Sequence, residues 1–270
     1  MLYYINGKYI KQDDAVVSFN DAGFLYGDGL FETMRFDGQK IFSFDKHFKR
    51  LYNGLNIIDL NINYSRVEIL DILNTIIKKN NLQSGIIKLM ITRGNLDDKD
   101  SNPGIYISIK PFYNIPDTPV KVIYLDETKY PIIRFNPAIK SMNYLGNMLA
   151  KKDTQNQGAF EPVFYNKNNI ITECAIRNIF YIKNNILQTP PLNLGILGGV
   201  MRKTIIHIAH SLNIEVQERE IDLNEVSSMD EAFISSTGIG LLACYWDEWK
   251  SEYELTNNIK KELFNRIKSH

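Results

Sequence analysis

Only two cysteines, Cys174 and Cys244, occur in the 270 residues. Their separation matches no metal-binding spacing, and two thiols do not make a disulfide framework. A reducing compartment, the cytoplasm, is the expected setting. Net charge is missing too: 31 Lys and Arg balance 31 Asp and Glu. No strongly basic face is implied, and nucleic acid is not an expected partner. The chain has no run of about 18 apolar residues, so no membrane span is expected. Its first residues, MLYYINGKYIKQDDAVV, lack the basic-then-apolar pattern of a secretory leader. Internal repeats and low-complexity tracts are absent as well.

What is present suffices for a full core. Hydrophobic residues make up 44% of the chain, which allows one large domain or two smaller ones. Asn6-Gly7 between Tyr3-Tyr4-Ile5 and Tyr9-Ile10 predicts a hairpin. Gly23 to Gly29 reads as a glycine-rich turn, and Leu30 to Phe36 as a strand. The spacing of Phe48, Leu51, Leu55 and Ile58 predicts a helix over 45–60, capped by Asp45. A second helix, 65–79, starts at Ser65 and is expected to bury Val67, Leu70, Ile72, Leu73 and Ile76. Strands follow at 86–92 and 105–109. Pro116 and Pro119 break both periodicities, which sets a domain of residues 1–115, a linker at 116–120 and a domain of 121–270. Beyond the linker a strand at 120–125, helices at 143–155 and 200–212, a strand at 233–236 and a last helix at 255–267 are expected. Strands and helices mix without regular βαβ alternation, so the fold class is α+β, or an irregular mixed α/β.

Four segments stand out chemically. Lys140 lies after an extended, mostly apolar piece and just before a helix start, where a lysine can act as nucleophile or base; its ordinary reading is a solvated loop lysine. Glu173 ends an apolar strand and is followed by small residues, so it faces either a cavity or solvent. Gly195 to Met201 is a glycine-containing turn into a helix whose first N–H groups can hold an anion. Ser236-Thr237-Gly238, at the end of another strand, is a second candidate for holding phosphate, or a plain polar turn. His207 and His210 lie three apart on one helix, but no third ligand accompanies them.

Taken together, and in order, these blocks resemble the class IV, or fold-type IV, pyridoxal-phosphate enzymes. The resemblance rests on Tyr26-Gly27-Asp28-Gly29-Leu30-Phe31-Glu32-Thr33-Met34-Arg35, on His47-Phe48-Lys49-Arg50-Leu51, and on Lys140 to Asn147. Thr172-Glu173 with Asn178-Ile179-Phe180, Gly199-Val200-Met201-Arg202 and Ser236-Thr237-Gly238 complete it. It implies a small N-terminal α/β domain and a larger C-terminal pseudo-barrel domain. It also implies pyridoxal 5'-phosphate as cofactor, joined to Lys140 as a Schiff base, with Lys140 as the catalytic proton carrier. Glu173 is then the partner of the pyridine nitrogen. Arg50, the amides of Val200 and Met201, and Thr237 with Gly238 grip the phosphate. A homodimer is implied, with the active site between the domains and closed by the partner's small domain.

Substrate choice follows from finer comparisons. Ile91-Thr92-Arg93-Gly94 is similar to the lyases and D-amino-acid enzymes of the family. The loop Asn95-Leu96-Asp97-Asp98-Lys99-Asp100 lacks the Arg and His with which the D-amino-acid enzymes trap a substrate carboxylate, and its aspartates do not have EF-hand spacing. Gly199 to Arg202, Thr172-Glu173-Cys174 and Arg50-Leu51 with Gly54 look most like 4-amino-4-deoxychorismate lyase. The expected activity is therefore release of pyruvate and formation of 4-aminobenzoate, a folate precursor. The alternative is an aminotransferase for branched-chain or D-amino acids with a 2-oxo acid acceptor.

Overall fold

The computed structural model describes residues 1–97, 102–112 and 114–269; the Asp98-Lys99-Asp100 end of the acidic loop lies outside the described residues. The chain divides into two units. The first comprises Met1–Tyr113 together with Ile139–Asn143, and the second Asn114–Ala138 with Tyr144–His270. The five residues around Lys140 therefore group with the N-terminal unit, although prolines alone draw the division near residue 116.

In the first unit, β1 (Leu2–Ile5) and β2 (Lys8–Lys11) form the hairpin, with Asn6 and Gly7 at positive φ. They join β3 (Gly29–Asp37), β4 (Lys40–Ile41), β5 (Ser84–Thr92) and β6 (Gly104–Lys110) in one antiparallel sheet ordered β2-β1-β6-β5-β3-β4. Alternation sorts the side chains. Leu30, Met34 and Phe36 of β3, Ile87, Leu89 and Ile91 of β5, and Ile105, Ile107 and Ile109 of β6 share one core with two helices. These are α2 (Phe44–Ile57) and α3 (Arg66–Asn80). Phe31, Thr33 and Arg35 point to the opposite face.

Three local expectations need correction. The glycine-rich turn contains a short helix, α1 (Ala22–Tyr26), because Asp21 accepts from the amides of Gly23 and Phe24 and so nucleates a turn. Helix α2 is preceded by Ser43, not capped by Asp45, which lies in its first turn. Val67 is 59% exposed; in α3 Leu73 and Ile76 are buried as expected, and Ile69 and Ile77 are buried with them. Ser65 does cap that helix, in a reciprocal box with Glu68.

The second unit is an eight-stranded mixed sheet. Its strands are β7 (Val120–Asp126), β8 (Glu161–Tyr165), β9 (Ile171–Cys174), β10 (Asn178–Lys183), β11 (Ile186–Thr189), β12 (Val216–Glu218), β13 (Glu231–Ser236) and β14 (Gly240–Tyr245), ordered β12-β11-β10-β13-β14-β7-β8-β9. The sheet curls: β9, at one end of the order, is tied back to the start of β10 by the Cys174 amide donating to the Arg177 carbonyl at 3.0 Å. This is the expected half-barrel. Its core includes Val122, Val163, Ile171, Tyr181, Ile234 and Leu242, with Trp246 and Trp249 stacked at 3.9 Å. Helices α4 (Leu145–Asn156), α5 (Val200–Ser211) and α6 (Glu254–Ser269) complete the unit. Among the described residues no helix is long and apolar enough to cross a membrane.

Candidate active site

Lys140 is placed by backbone hydrogen bonding. Short β4 leaves the start of β3 uncovered along one edge, and residues 139–143 fill that gap. The Phe31 amide donates to the Lys140 carbonyl at 3.0 Å, the Met142 amide donates to the Gly29 carbonyl at 2.9 Å, and Leu30 bridges Ser141. Gly29 permits this approach, since a Cβ there would stand 2.5 Å from the Ile91 carbonyl oxygen and 2.8 Å from Met142 Sδ. In this register Lys140 shares a face with Phe31, and its Nζ lies 4.3 Å from the centre of that ring.

On the other face of β3 a buried carboxylate organises α2. His47 and Arg50, three residues apart and so on one side of the helix, both reach Glu32. His47 Nδ1 is 2.7 Å from Oε2; Arg50 donates from Nε to Oε1 at 2.7 Å and from Nη2 to Oε2 at 2.6 Å. Burial acts to raise the Glu32 carboxyl, but the Arg50 charge and the His47 hydrogen bond prevail and push it down to about 2. Burial lowers the His47 imidazole against the pull of Glu32, and the charges of Arg50 and Lys140 lower it further. The neutral ring is the stable form, donating from Nδ1. The guanidinium fork of Arg50 is thus turned on Glu32, where the resemblance had placed it on phosphate. Sequence reasoning passed over Glu32 and His47 although a signal existed: Glu32 alternates with Leu30, Met34 and Phe36, all on the buried face.

In the second unit Glu173 sits near the end of β9, 14% exposed at its side chain. Its Oε1 accepts from Arg134 Nη1, and its Oε2 accepts from the Leu197 amide at 3.2 Å. Arg134 is itself held by Glu127 Oε2 at 2.6 Å and by Thr172 Oγ1 at 3.1 Å. Burial opposes its charge, but Glu173 and Glu127 outweigh burial and raise its pKa. Arg134 and Glu127 were not legible beforehand, because the Pro131–Pro137 stretch has no periodicity to orient a side chain.

Leu197 joins Glu173 to the start of α5. Its carbonyl accepts from Asn178 Nδ2 at 3.0 Å, and Asn178 Oδ1 stands where a Cβ on Gly199 would come within 2.1 Å. Gly199 precedes α5, and no side chain caps that helix, whose first residues are Val200 and Met201. Across the strands Asn178 pairs with Ser235, whose buried Oγ has no hydrogen-bond partner among the described residues. Thr237 and Gly238 follow in the turn from β13 to β14, both buried. An uncapped helix start and an unsatisfied buried hydroxyl suit a phosphate. A carboxylate kept beside a guanidinium suits a protonated ring nitrogen. The second unit therefore brings together Glu173, Val200 and Met201; Lys140 and Arg50 belong to the first. The two histidines His207 and His210 are exposed, and no metal-binding group forms among the described residues.

The profile of the class IV amino-transferase family matches residues 29–244. The chain belongs to the class IV aminotransferases. A protein of Methanocaldococcus jannaschii, provisionally named branched-chain-amino-acid aminotransferase, is 33% identical over 251 residues, covering 91% of this chain and 87% of its own. The D-alanine aminotransferase of Staphylococcus epidermidis is 34% identical over 241 residues, covering 87% and 84%. A structure from Legionella pneumophila, provisionally titled 4-amino-4-deoxychorismate lyase, superposes with a TM-score of 0.83 at 26% identity, covering 95% of this chain and 97% of that one. The expected fold and the expected cofactor, pyridoxal 5'-phosphate, stand with membership in this family.

Proposed function

We propose that the chain is a pyridoxal-phosphate-dependent aminotransferase that moves the amino group of a small amino acid to a 2-oxo acid. The observation that carries this is the Leu197 junction, where one short segment joins the Arg134-held carboxylate of Glu173 to the uncapped start of α5. One end suits a ring nitrogen and the other a phosphate. When bound, the cofactor supplies an aldehyde that condenses with amines and a ring that accepts electrons. Glu173 would meet the protonated ring nitrogen, and Arg134 holds Glu173 in place. The Val200 and Met201 amides, Thr237 and Gly238 would hold the phosphate, with Arg50 as a further phosphate ligand. Lys140 Nζ would take the proton from the amine-bearing carbon of the substrate and, in transfer, would hold it for return. The named aminotransferases at about a third identity favour transfer over cleavage.

The second reading is 4-amino-4-deoxychorismate lyase, favoured by the Legionella likeness and by an acidic loop after Gly94 that lacks Arg and His. The same proton removal by Lys140 serves both reactions, and they part only in where the electrons go next. Incubation with 4-amino-4-deoxychorismate, assayed for pyruvate, beside a panel of L- and D-amino acids with 2-oxoglutarate, separates them. Transfer without pyruvate release supports the first reading, and the converse overturns it. Borohydride reduction and peptide mapping should place the pyridoxyl group on Lys140; a label on another lysine rejects the assignment.

The working form is proposed to be a cytoplasmic homodimer. Val16, Phe19, Phe24 and Tyr26 of the first unit are each at least 63% exposed, an apolar surface suited to a second copy. Both cysteines are buried free thiols, which fits a reducing compartment. Sedimentation at twice the chain mass is the expected result.

A further inference from the structure

The face of the first unit's sheet opposite its two helices is rich in cations. Thr33, Lys88 and Ser108 are paired across β3, β5 and β6, so their side chains share one face with Phe31 and Arg35. The Lys88 ammonium lies 4.5 Å from the centre of the Phe31 ring, the ring that Lys140 also approaches, at 4.3 Å. Lys88 is half-buried, and among the described residues it makes no hydrogen bond or ion pair. Its neighbours worsen its position: burial first, then the charges of Lys140 and Lys110, lower its pKa. An ammonium so placed is stabilised by an anion that arrives from outside the chain. The aromatic ring offsets only part of the desolvation.

The substrates of the proposed reaction carry such an anion, a carboxylate on the carbon that bears the amine or ketone. Asn95, Leu96 and Asp97, the described part of the loop beyond Gly94, include no cation to meet it. We propose that Lys88 is the counter-ion for the substrate's α-carboxylate, received beside Lys140 across the ring of Phe31. This rests on the reading of Lys140 as the reacting lysine. It assigns the recognition of acid substrates to β5, inside the sheet. A rigid strand fixes a charge more closely than a loop does.

The test uses the cofactor-loaded enzyme as wild type, Lys88→Met and Lys88→Arg. Propionate, a carboxylate with no amine, is titrated against the visible spectrum. Rates are then compared for a reactive amino acid and its carboxamide. In Lys88→Met, propionate binding is expected to weaken on the order of 30-fold, as for loss of one partner of a desolvated charge pair. The preference for acid over amide should shrink similarly, chiefly through KM. Lys88→Arg, which keeps the charge, should recover most of both, and cofactor affinity should not change in either variant. Propionate binding equal in wild type and Lys88→Met, or absent from wild type, overturns the proposal. A parallel loss of cofactor affinity also overturns it, by assigning Lys88 to the phosphate. If no amino acid reacts yet propionate binding still depends on Lys88, the transfer reading fails while the carboxylate subsite stands.

Discussion

Glu32 and Glu173 are both carboxylates held by an arginine, one in each unit, yet they are built for different work. Glu32 is 1% exposed, and both its oxygens are occupied by Arg50 and His47. Glu173 is 14% exposed and has one oxygen on Arg134 and the other on the Leu197 amide at 3.2 Å. A saturated buried carboxylate can only organise its neighbours, because any added ligand would have to break strong hydrogen bonds. A partly exposed one can be approached by a ligand without being dug out of a core. The pairing with arginine is common to both, so exposure is what distinguishes the two carboxylates.

The sharpest way to break this contrast is to neutralise each carboxylate. Glu173→Gln should lower kcat by about 10²–10³, the usual effect of removing one preorganised electrostatic partner, with thermal stability little changed. Wild-type turnover in that variant would remove Glu173 from the reaction. Glu32→Gln should do the reverse. It strands Arg50 and His47 around a neutral amide and should cost about 3 kcal/mol of stability, measured by chemical denaturation. A stable Glu32→Gln enzyme with lost turnover would invert the assignment of roles.

Smaller effects sharpen the comparison. Arg50→Lys keeps the charge but cannot make two parallel bonds to Glu32, so a loss of about 1–2 kcal/mol is expected. Equal stability in Arg50→Lys and wild type would show that the fork geometry on Glu32 contributes nothing.

The pH dependence should come from His47. Its folded pKa lies below the ordinary 6.5, so the stability gained by keeping it neutral is fully present above pH 6.5 and is lost as pH falls toward the folded value. Glu32, at about 2, stays charged throughout that range. Melting curves from pH 7 to 5 should therefore slope downward by at most about 1.4 kcal/mol per pH unit, and His47→Asn should flatten the slope. An unchanged slope in His47→Asn would place the titrating group elsewhere.

Much of the architecture was legible because short-range rules act along the chain. Asn6-Gly7 can adopt positive φ, so the hairpin followed. Ser65 with Glu68 closes a capping box, and the α5 start at Val200 followed from the glycines before it. Val67 was misplaced because a helical face wide enough to hold it is set by what packs against the helix. The short helix at Ala22 was hidden because its support, the buried Asp21, also accepts from Thr92 and Tyr106, some 71 and 85 residues away.

By itself, then, the order of residues determined the family blocks, the strand and helix sequence and the identity of Lys140 and Glu173 as candidates, since these depend on local pattern and spacing. Tertiary structure alone decided what surrounds them. It set Lys140 along the edge of β3 that β4 leaves open, turned Arg50 onto Glu32, brought Arg134 to Glu173 and, among the described residues, left Lys88 without an ion pair. Each of these depends on partners far apart in the chain, and the electrostatics of a side chain follow from burial and neighbours that no local pattern encodes.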